Sequence, residues 1–350
     1  MRIVLDAMGS DNAPLPEVEG AIEAARNTDI EIILVGDQER VEAELNRCAK
    51  KRPANIRITH ASERIEMTDK PVEAVRKKKD SSLLVGLRLV KSGEADAFVS
   101  CGNTGAVMVG ARVILMTVRG VSRAALCQTL PTLKKPCVVL DLGANVDCSA
   151  RQLCEFAEMG MVYSRHVMGI KEPKVGLLNI GEEEMKGSEL SRRVHRELTA
   201  APHVKFIGNV EPKNLYKGEC DVVVSDGFVG NVVLKSSEAV AMLITNILKR
   251  EVRSTWAAKL GALLMRGAFE RLKKQVDPNE QIGALLIGIR GLVYILHGAS
   301  TATGVANAIR GADLAVRKDL NSHIRAGIEE LRDTEARLED EHPPARESTG

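Results

Sequence analysis

Short apolar bursts ending in Gly, Asp or Asn alternate along the chain with segments of helical periodicity. Ile3 to Leu5, Glu31 to Val35, Ile56 to Ile58, Ala97 to Val99, Leu126 to Leu130, Pro136 to Leu140, Lys174 to Ile180, Val204 to Ile207 and Asp221 to Val224 each have the length and content of a buried strand. Between them lie helices running to about Ala25, to about Lys51, from Ser82 to Lys91, from Ala106 to Met116 and from Thr303 to Val316. Such alternation predicts parallel strands joined by crossover helices, an α/β fold with helices on both faces of the sheet.

The exits of these strands share a character. Ala97-Phe98-Val99 runs into Ser100-Cys101-Gly102-Asn103-Thr104-Gly105 before the next helix begins. Gly102 and Gly105 permit close backbone approach, while Asn103 and Thr104 offer polar groups where unpaired helix N–H donors converge. An ordinary N-cap and an anion site both fit this stretch. Asp6 to Asp11 with Gly9, Asp141 to Asp147 with Asn145, Asn179 to Glu189 with Lys186, Gly208-Asn209, and Ser225 to Asn231 with Asp226, Gly227 and Asn231 repeat the device. In a parallel sheet all would lie along one edge, so the expectation is a single polar crevice.

From Val232 to about Val276 there is neither a strand signal nor a proline, which predicts two helices meeting near Ser254-Thr255 and projecting as a hairpin that Pro278 ends. At about 100° per residue, Lys259, Arg266, Glu270 and Lys273 share one sector, and Trp256, Leu260, Leu264, Leu272 and Phe269 spread over a broad apolar arc. That arc fits either a membrane interface or a dimer surface. Arg76-Lys77-Lys78-Lys79 fits either a solvated helix end or a contact for an acidic partner. Ile282 to Leu296 is a glycine-dotted buried segment leading into His297-Gly298-Ala299-Ser300. Residues 1–320, including a helical hairpin over 232–276, are expected to form one α/β catalytic domain of one or two lobes; 321–350 are expected to be a charged helix end and a disordered tail from His342.

Composition narrows the function. With 350 residues, a net charge of +2 and few aromatics, the chain can bury a large core but offers a nucleic acid neither a basic face nor stacking platforms. Its seven cysteines form no C-x-x-C pair and read as reduced, cytosolic thiols. The strand at Ile3 to Leu5 has no apolar signal core behind it, and the longest apolar run is too short to span a bilayer. No P-loop, dinucleotide fingerprint, nucleophile elbow or metal-binding motif is present, so no cofactor and no metal are expected. What remains is a crevice of Asn, Thr, Ser, Asp, Lys and His with glycine-exposed amides, suited to a reaction whose substrate brings its own nucleophile.

Asp6-Ala7-Met8-Gly9, Ser100-Cys101-Gly102-Asn103-Thr104-Gly105-Ala106, Asp141-Leu142-Gly143-Ala144-Asn145, Gly176 to Gly181, Lys186-Gly187-Ser188-Glu189 and Asp226-Gly227-Phe228-Val229-Gly230-Asn231 occur in that order. Together they resemble the bacterial acyl-[acyl-carrier-protein]:phosphate acyltransferases over residues 1 to about 317. The resemblance implies a Rossmann-like three-layer α/β/α sandwich similar to isopropylmalate dehydrogenases and phosphate acetyltransferases, and a homodimer. It implies transfer of a long fatty acyl group from acyl carrier protein to inorganic phosphate, for a downstream membrane glycerol-3-phosphate acyltransferase. The chain departs from the family's usual residues at Ser10, Cys101 and Ala299. On this reading Asn103, Thr104, Lys186 and His297 are the catalytic candidates. Asp6, Gly9, Gly102, Gly105, Asn145, Asp226, Gly227 and Asn231 would bind or orient phosphate, and Trp256, Leu260 and Leu264 would meet an anionic membrane surface. An acyl-CoA-dependent phosphate acyltransferase and a non-catalytic scaffold for carrier protein and membrane are the alternatives, and a dehydrogenase rests on fold analogy alone.

Overall fold

The structure is a computed structural model that describes residues 1–26, 28–49, 51–276 and 282–341, with the side chains of 273, 274, 276 and 334–341 left aside. In chain order its first part comprises β1 (Arg2–Asp6), α1 (Leu15–Ala25), β2 (Glu31–Gly36), α2 (Gln38–Cys48), β3 (Ile56–His60), α3 (Pro71–Lys77), α4 (Ser82–Lys91), β4 (Ala97–Ser100) and α5 (Thr104–Ile114). There follow β5 (Ala125–Leu130), β6 (Cys137–Leu140), α6 (Ala150–His166), β7 (Val175–Leu178), α7 (Glu189–Ala200), β8 (Phe206–Val210), α8 (Pro212–Lys217) and β9 (Val222–Val224). The last part is α9 (Gly227–Ser254), α10 (Trp256–Leu264), α11 (Arg266–Val276), β10 (Ala284–Ile287), β11 (Leu292–Ile295), α12 (Ala302–Arg317) and α13 (Leu320–Glu341).

The strands form one sheet in the order β3-β2-β1-β4-β11-β10-β5-β6-β9-β7-β8. Alternating residues feed two cores. Ile3, Leu5, Ile32, Leu34, Ala97 and Val99 point to the face covered by α1, α6, α7, α12 and α13. Val4, Ile33, Val35 and Phe98 point to the face covered by α3, α4, α5 and α8. This is the α/β/α sandwich expected from the sequence, with strands buried on both faces as a largely parallel sheet requires.

The expectation of one shared edge fails. β10 runs antiparallel to both β11 and β5, and β5 runs antiparallel to β6. The exits of β1, β4 and β11 therefore lie at one edge, and those of β6, β7 and β9 at the opposite one. The reversal comes from the tight connection 131–136, which joins β5 to β6 as a hairpin because it is too short for a crossover. Two smaller readings also change. Gly208 and Asn209 lie inside β8 rather than at its exit, and Ile282 to Leu296 resolves into the β10 and β11 hairpin.

α9 repairs the separation of the two edges. It begins at the exit of β9, capped by Asp226, whose carboxylate accepts from Val229 N at 2.8 Å. Its first turn is pressed onto the β6 exit: a Cβ on Gly227 would lie 2.7 Å from Asn145 O, and one on Gly230 would collide with Asp141 O. The twelve helical steps from Asp226 to Glu238 span about 18 Å, the length of a five-residue strand, so α9 crosses the sheet to the other edge. Beyond that crossing it projects. Thr255, with extended backbone, ends α9 and caps α10 by accepting from Ala258 N at 3.1 Å, so the chain breaks where the sequence predicts, but a second break at Met265 makes three helices of the expected two. Its expected terminator, Pro278, and the tail from His342 lie outside the described residues.

Among the described residues α9 alone is long and apolar enough to cross a membrane by length and composition; the sequence reading did not single it out for that. α13 begins at the expected domain end near 320 but continues the body. Ile324, Ile328 and Leu331 are buried, and its His323 ring stacks on His166 of α6 at 3.7 Å.

Candidate active site

A cleft of about 1120 Å³ runs across the sheet beneath α9. It is lined by Gly143 and Asn231 near the β6 exit and by Thr104, Lys235, Glu238, His297 and Ser300 about the exits of β4 and β11, while Leu234, Met242, Leu248, Val252, Phe269 and Leu272 make the rest of it apolar. One wall thus comes from the exits of β4 and β11, the other from the exit of β6 and from α9.

The floor of the polar end is built from close backbone contacts. A Cβ on Gly9 would lie 2.7 Å from Gly102 N, so only glycine lets the β1 and β4 exits meet. Asp6 is buried there; Ser100 Oγ donates to its Oδ2 at 2.8 Å and Met8 N to its Oδ1 at 3.2 Å. Burial raises its carboxyl pKa, opposed by these hydrogen bonds. Ser100 Oγ in turn accepts from Gly102 N at 3.0 Å.

The β6 exit is held by an equivalent carboxylate. Asp141 accepts from Leu126 N, Gly143 N, Ala144 N and Asn145 N at 2.7–3.2 Å, and from Asn145 Nδ2 at 2.9 Å. Burial raises its pKa too. Asp6, Gly9, Gly102, Asn145, Asp226 and Gly227 are therefore the framework that shapes the two exits, and none of them lines the cleft.

Asn103 is also committed to structure. Its Oδ1 caps α5 by accepting from Ala106 N at 3.0 Å, and its Nδ2 donates to the carbonyls of Met67 and Asp69 at 3.0 and 3.1 Å. It aims the first turn of α5, where Thr104 is exposed at the cleft and Gly105 packs on Pro71. With the Ala106 N–H taken by the cap, the N–H groups of Thr104 and Gly105 have no intrahelical acceptor, which makes the turn suited to an anion.

His297 follows β11 and is exposed beside the cleft; its Nε2 lies 3.6 Å from Glu238 Oε1 on α9, while Glu238 Oε2 accepts from Lys235 Nζ at 2.8 Å. Lys186, by contrast, is exposed on the loop after β7 and absent from the cleft lining; its carbonyl accepts from Asn179 Nδ2 at 3.1 Å. The structure thus gathers Thr104, Asn231 and His297 from the expected set and leaves Lys186 aside. It adds Lys235, Glu238 and Ser300. Asn231, Lys235 and Glu238 fall at i, i+4 and i+7, a helical stripe starting at a strand exit, and that spacing was the available signal. Trp256, Leu260 and Leu264 lie on α10 with no part in the cleft, all exposed.

Cys101 is buried and its thiol pKa is pushed well up by desolvation and by the nearby Glu17 and Asp6 carboxyls, the opposite of what a nucleophile needs. No cluster of three His, Cys, Asp or Glu suited to a metal occurs among the described residues.

The family described as "Fatty acid synthesis protein" matches residues 1–323. A phosphate acyltransferase of Acidobacterium capsulatum is 45% identical over 334 residues, covering 95% of this chain and 99% of that one. One of Trichlorobacter lovleyi is 49% identical over 312 residues, covering 89% and 90%. Among solved structures, a phosphotransacetylase from Streptococcus pyogenes superposes with a TM-score of 0.59 at 20% identity, covering 90% of this chain and 94% of that one. A branched-chain phosphotransacylase from Enterococcus faecalis V583 gives 0.56 at 15%, covering 90% and 100%. At such identities these two speak to the fold.

Proposed function

We propose, from the premise that this chain belongs to the fatty acid synthesis protein family whose curated relatives are phosphate acyltransferases, that it moves a long-chain fatty acyl group from acyl carrier protein to inorganic phosphate. The observation carrying the finer reading is the cleft itself, in which the polar group around Thr104, Lys235, Glu238 and His297 adjoins a long apolar lining. A short acyl group has no use for the run from Leu234 to Leu272. A long chain buries it, at about 25 cal/mol for each Å² removed from water.

In this reading phosphate sits on the first turn of α5 beside Thr104, held by N–H donors and the helix dipole. A phosphate oxygen attacks the thioester carbonyl, the C–S bond breaks, and the electron pair leaves on sulfur. Phosphate is already anionic and a thiol of pKa about 8.5 leaves with little acid help, so no enzyme nucleophile is required. His297 and Lys235 stand where they can offset charge on the oxyanion and thiolate, with Glu238 fixing both. Acyl phosphate then passes to a membrane glycerol-3-phosphate acyltransferase, and the exposed hairpin of α9 to α11 either meets an anionic bilayer or pairs with a second copy in a homodimer.

The test is release of carrier thiol from acyl carrier protein with and without orthophosphate. Thiol release that needs phosphate and yields acyl phosphate supports the reading. Equal release in phosphate-free buffer sinks it, and a preference for acyl-CoA transfers the activity to that donor. Vesicle binding with no acyl phosphate formed would make the chain a scaffold.

A further inference from the structure

Resting on the carrier-protein reading above, we infer that the basic rim formed by Lys70 and α3 is the surface on which the acidic carrier docks. The segment 66–71 does not line the cleft but packs directly against the start of α5 and the loop after β11, which bring Thr104 and His297 to it. Asn103 Nδ2 is hydrogen-bonded to it, a Cβ on Gly105 would lie 2.6 Å from Pro71 Cγ, and one on Gly298 would collide with Met67 Cε. With the acyl chain lying along α9 toward Phe269 and Leu272, the thioester sits beside Thr104 and the carrier approaches over the start of α5. Residues 66–77 are the rim it meets there.

The charge on that rim is uneven in a way that a solvated helix does not explain. Residues 61–91 hold eight Lys or Arg against five Asp or Glu, an excess larger than the whole chain's +2. Part of it is internally used: Lys78 bonds Asp69 at 2.6 Å and the Arg64 carbonyl at 2.9 Å, and Lys79 Nζ donates to Val75 O at 3.0 Å. The rest faces outward. Arg76 is exposed and has no hydrogen bond or ion pair among the described residues. Lys70 and Lys77, 83% and 73% exposed, share the single carboxylate of Glu73 at 3.7 and 3.2 Å.

Cations in the last turn of a helix are expected from its dipole, which accounts for Arg76 and Lys77. Lys70 occupies the N-cap of α3, where the dipole opposes it and no side chain caps the helix. Val72, four residues before Arg76, leaves 67% of its surface in water. A cation at the wrong end of a helix, next to an exposed valine and two further cations, is the composition of a docking patch for an acidic helix rather than of a solvated face.

The experiment compares wild type with the double variant Arg76→Glu/Lys77→Glu on acylated carrier and on acyl-pantetheine, a thioester with no protein attached. The expected result is at least a tenfold rise in KM for acylated carrier and tenfold weaker binding of fluorescently labelled carrier. The melting temperature and the rate on acyl-pantetheine should be unchanged. Raising ionic strength should reproduce the KM rise in wild type and leave the variant nearly flat. An equal change on both substrates, or no change on either, overturns the inference; so does loss of binding to anionic vesicles with carrier affinity intact, which would assign the patch to lipid. If wild type itself turns over acyl-pantetheine or acyl-CoA with phosphate but not acylated carrier, the carrier-protein reading has failed first, and the patch with it.

Discussion

His297 Nε2 and Glu238 Oε1 stand 3.6 Å apart, although one follows β11 at one edge of the sheet and the other is carried by a helix that starts at the opposite edge. Replacing His297 by Ala should lower kcat at least tenfold, about 1.4 kcal/mol of barrier. Its ring is 59% exposed, so the melting temperature should hold. Glu238→Ala should give a smaller loss that is not additive with the first, since both act through one contact. Additive effects in the double variant would show that the pair is incidental.

Asn103→Ala removes a helix cap and the bonds to the 66–71 segment. A loss of about 1–2 kcal/mol in stability is expected, together with a raised KM for phosphate. Asn103→Asp keeps the capping oxygen but loses the donors, and should recover stability only in part. Unfolding in denaturant separates this from a ligand role, in which activity alone would fall.

Cys101→Ala should retain most of the activity, and thiol-directed alkylation should leave the folded enzyme active. Its buried, poorly ionised thiol is in no state to attack a carbonyl. A folded but dead variant would restore covalent catalysis.

Glu17 is fully buried behind the Asp6 loop, where its Oε1 accepts from Ser10 N at 2.8 Å, and burial pushes its pKa from 4.5 up to about 7. Between those pH values the unfolded chain has released a proton that the folded chain still holds, so stability falls as pH rises through this window. The loss approaches roughly 3 kcal/mol above it. Glu17→Gln keeps the acceptor and removes the charge. It should raise the melting temperature at pH 8 and change little at pH 4; an equal shift at both would refute the burial argument.

The hairpin exposes Trp256, Leu260, Leu263 and Leu264, the last at 82%. Leu260→Glu with Leu264→Glu should abolish sedimentation with anionic vesicles if α10 anchors the protein, without altering mass in solution. A dimer surface predicts the reverse, a shift to smaller particles with vesicle binding unaffected.

Much was legible locally. The alternation of Ile3-Val4-Leu5 or Ala97-Phe98-Val99 encodes strands with two buried faces, Asn103 marks a helix start, and the Ser254-Thr255 break sits where the periodicity puts it, although α9 starts at Gly227 rather than at Val232. These properties depend on φ, ψ and on which side of an element is apolar, and a short stretch of residues carries both. Even the β5 to β6 reversal had a local trace in the six-residue spacing between Leu130 and Cys137.

What only the tertiary structure decided is which exits share a cleft. A strand reads the same whether its neighbours run with it or against it, so the sequence could not separate Lys186, left on the outside, from His297, brought beside Glu238. Nor could periodicity show that α9 would cross the sheet and carry Lys235 and Glu238 to the far edge. That depends on the axis set by Gly227 and Gly230 against the β6 exit, a contact between residues more than eighty positions apart.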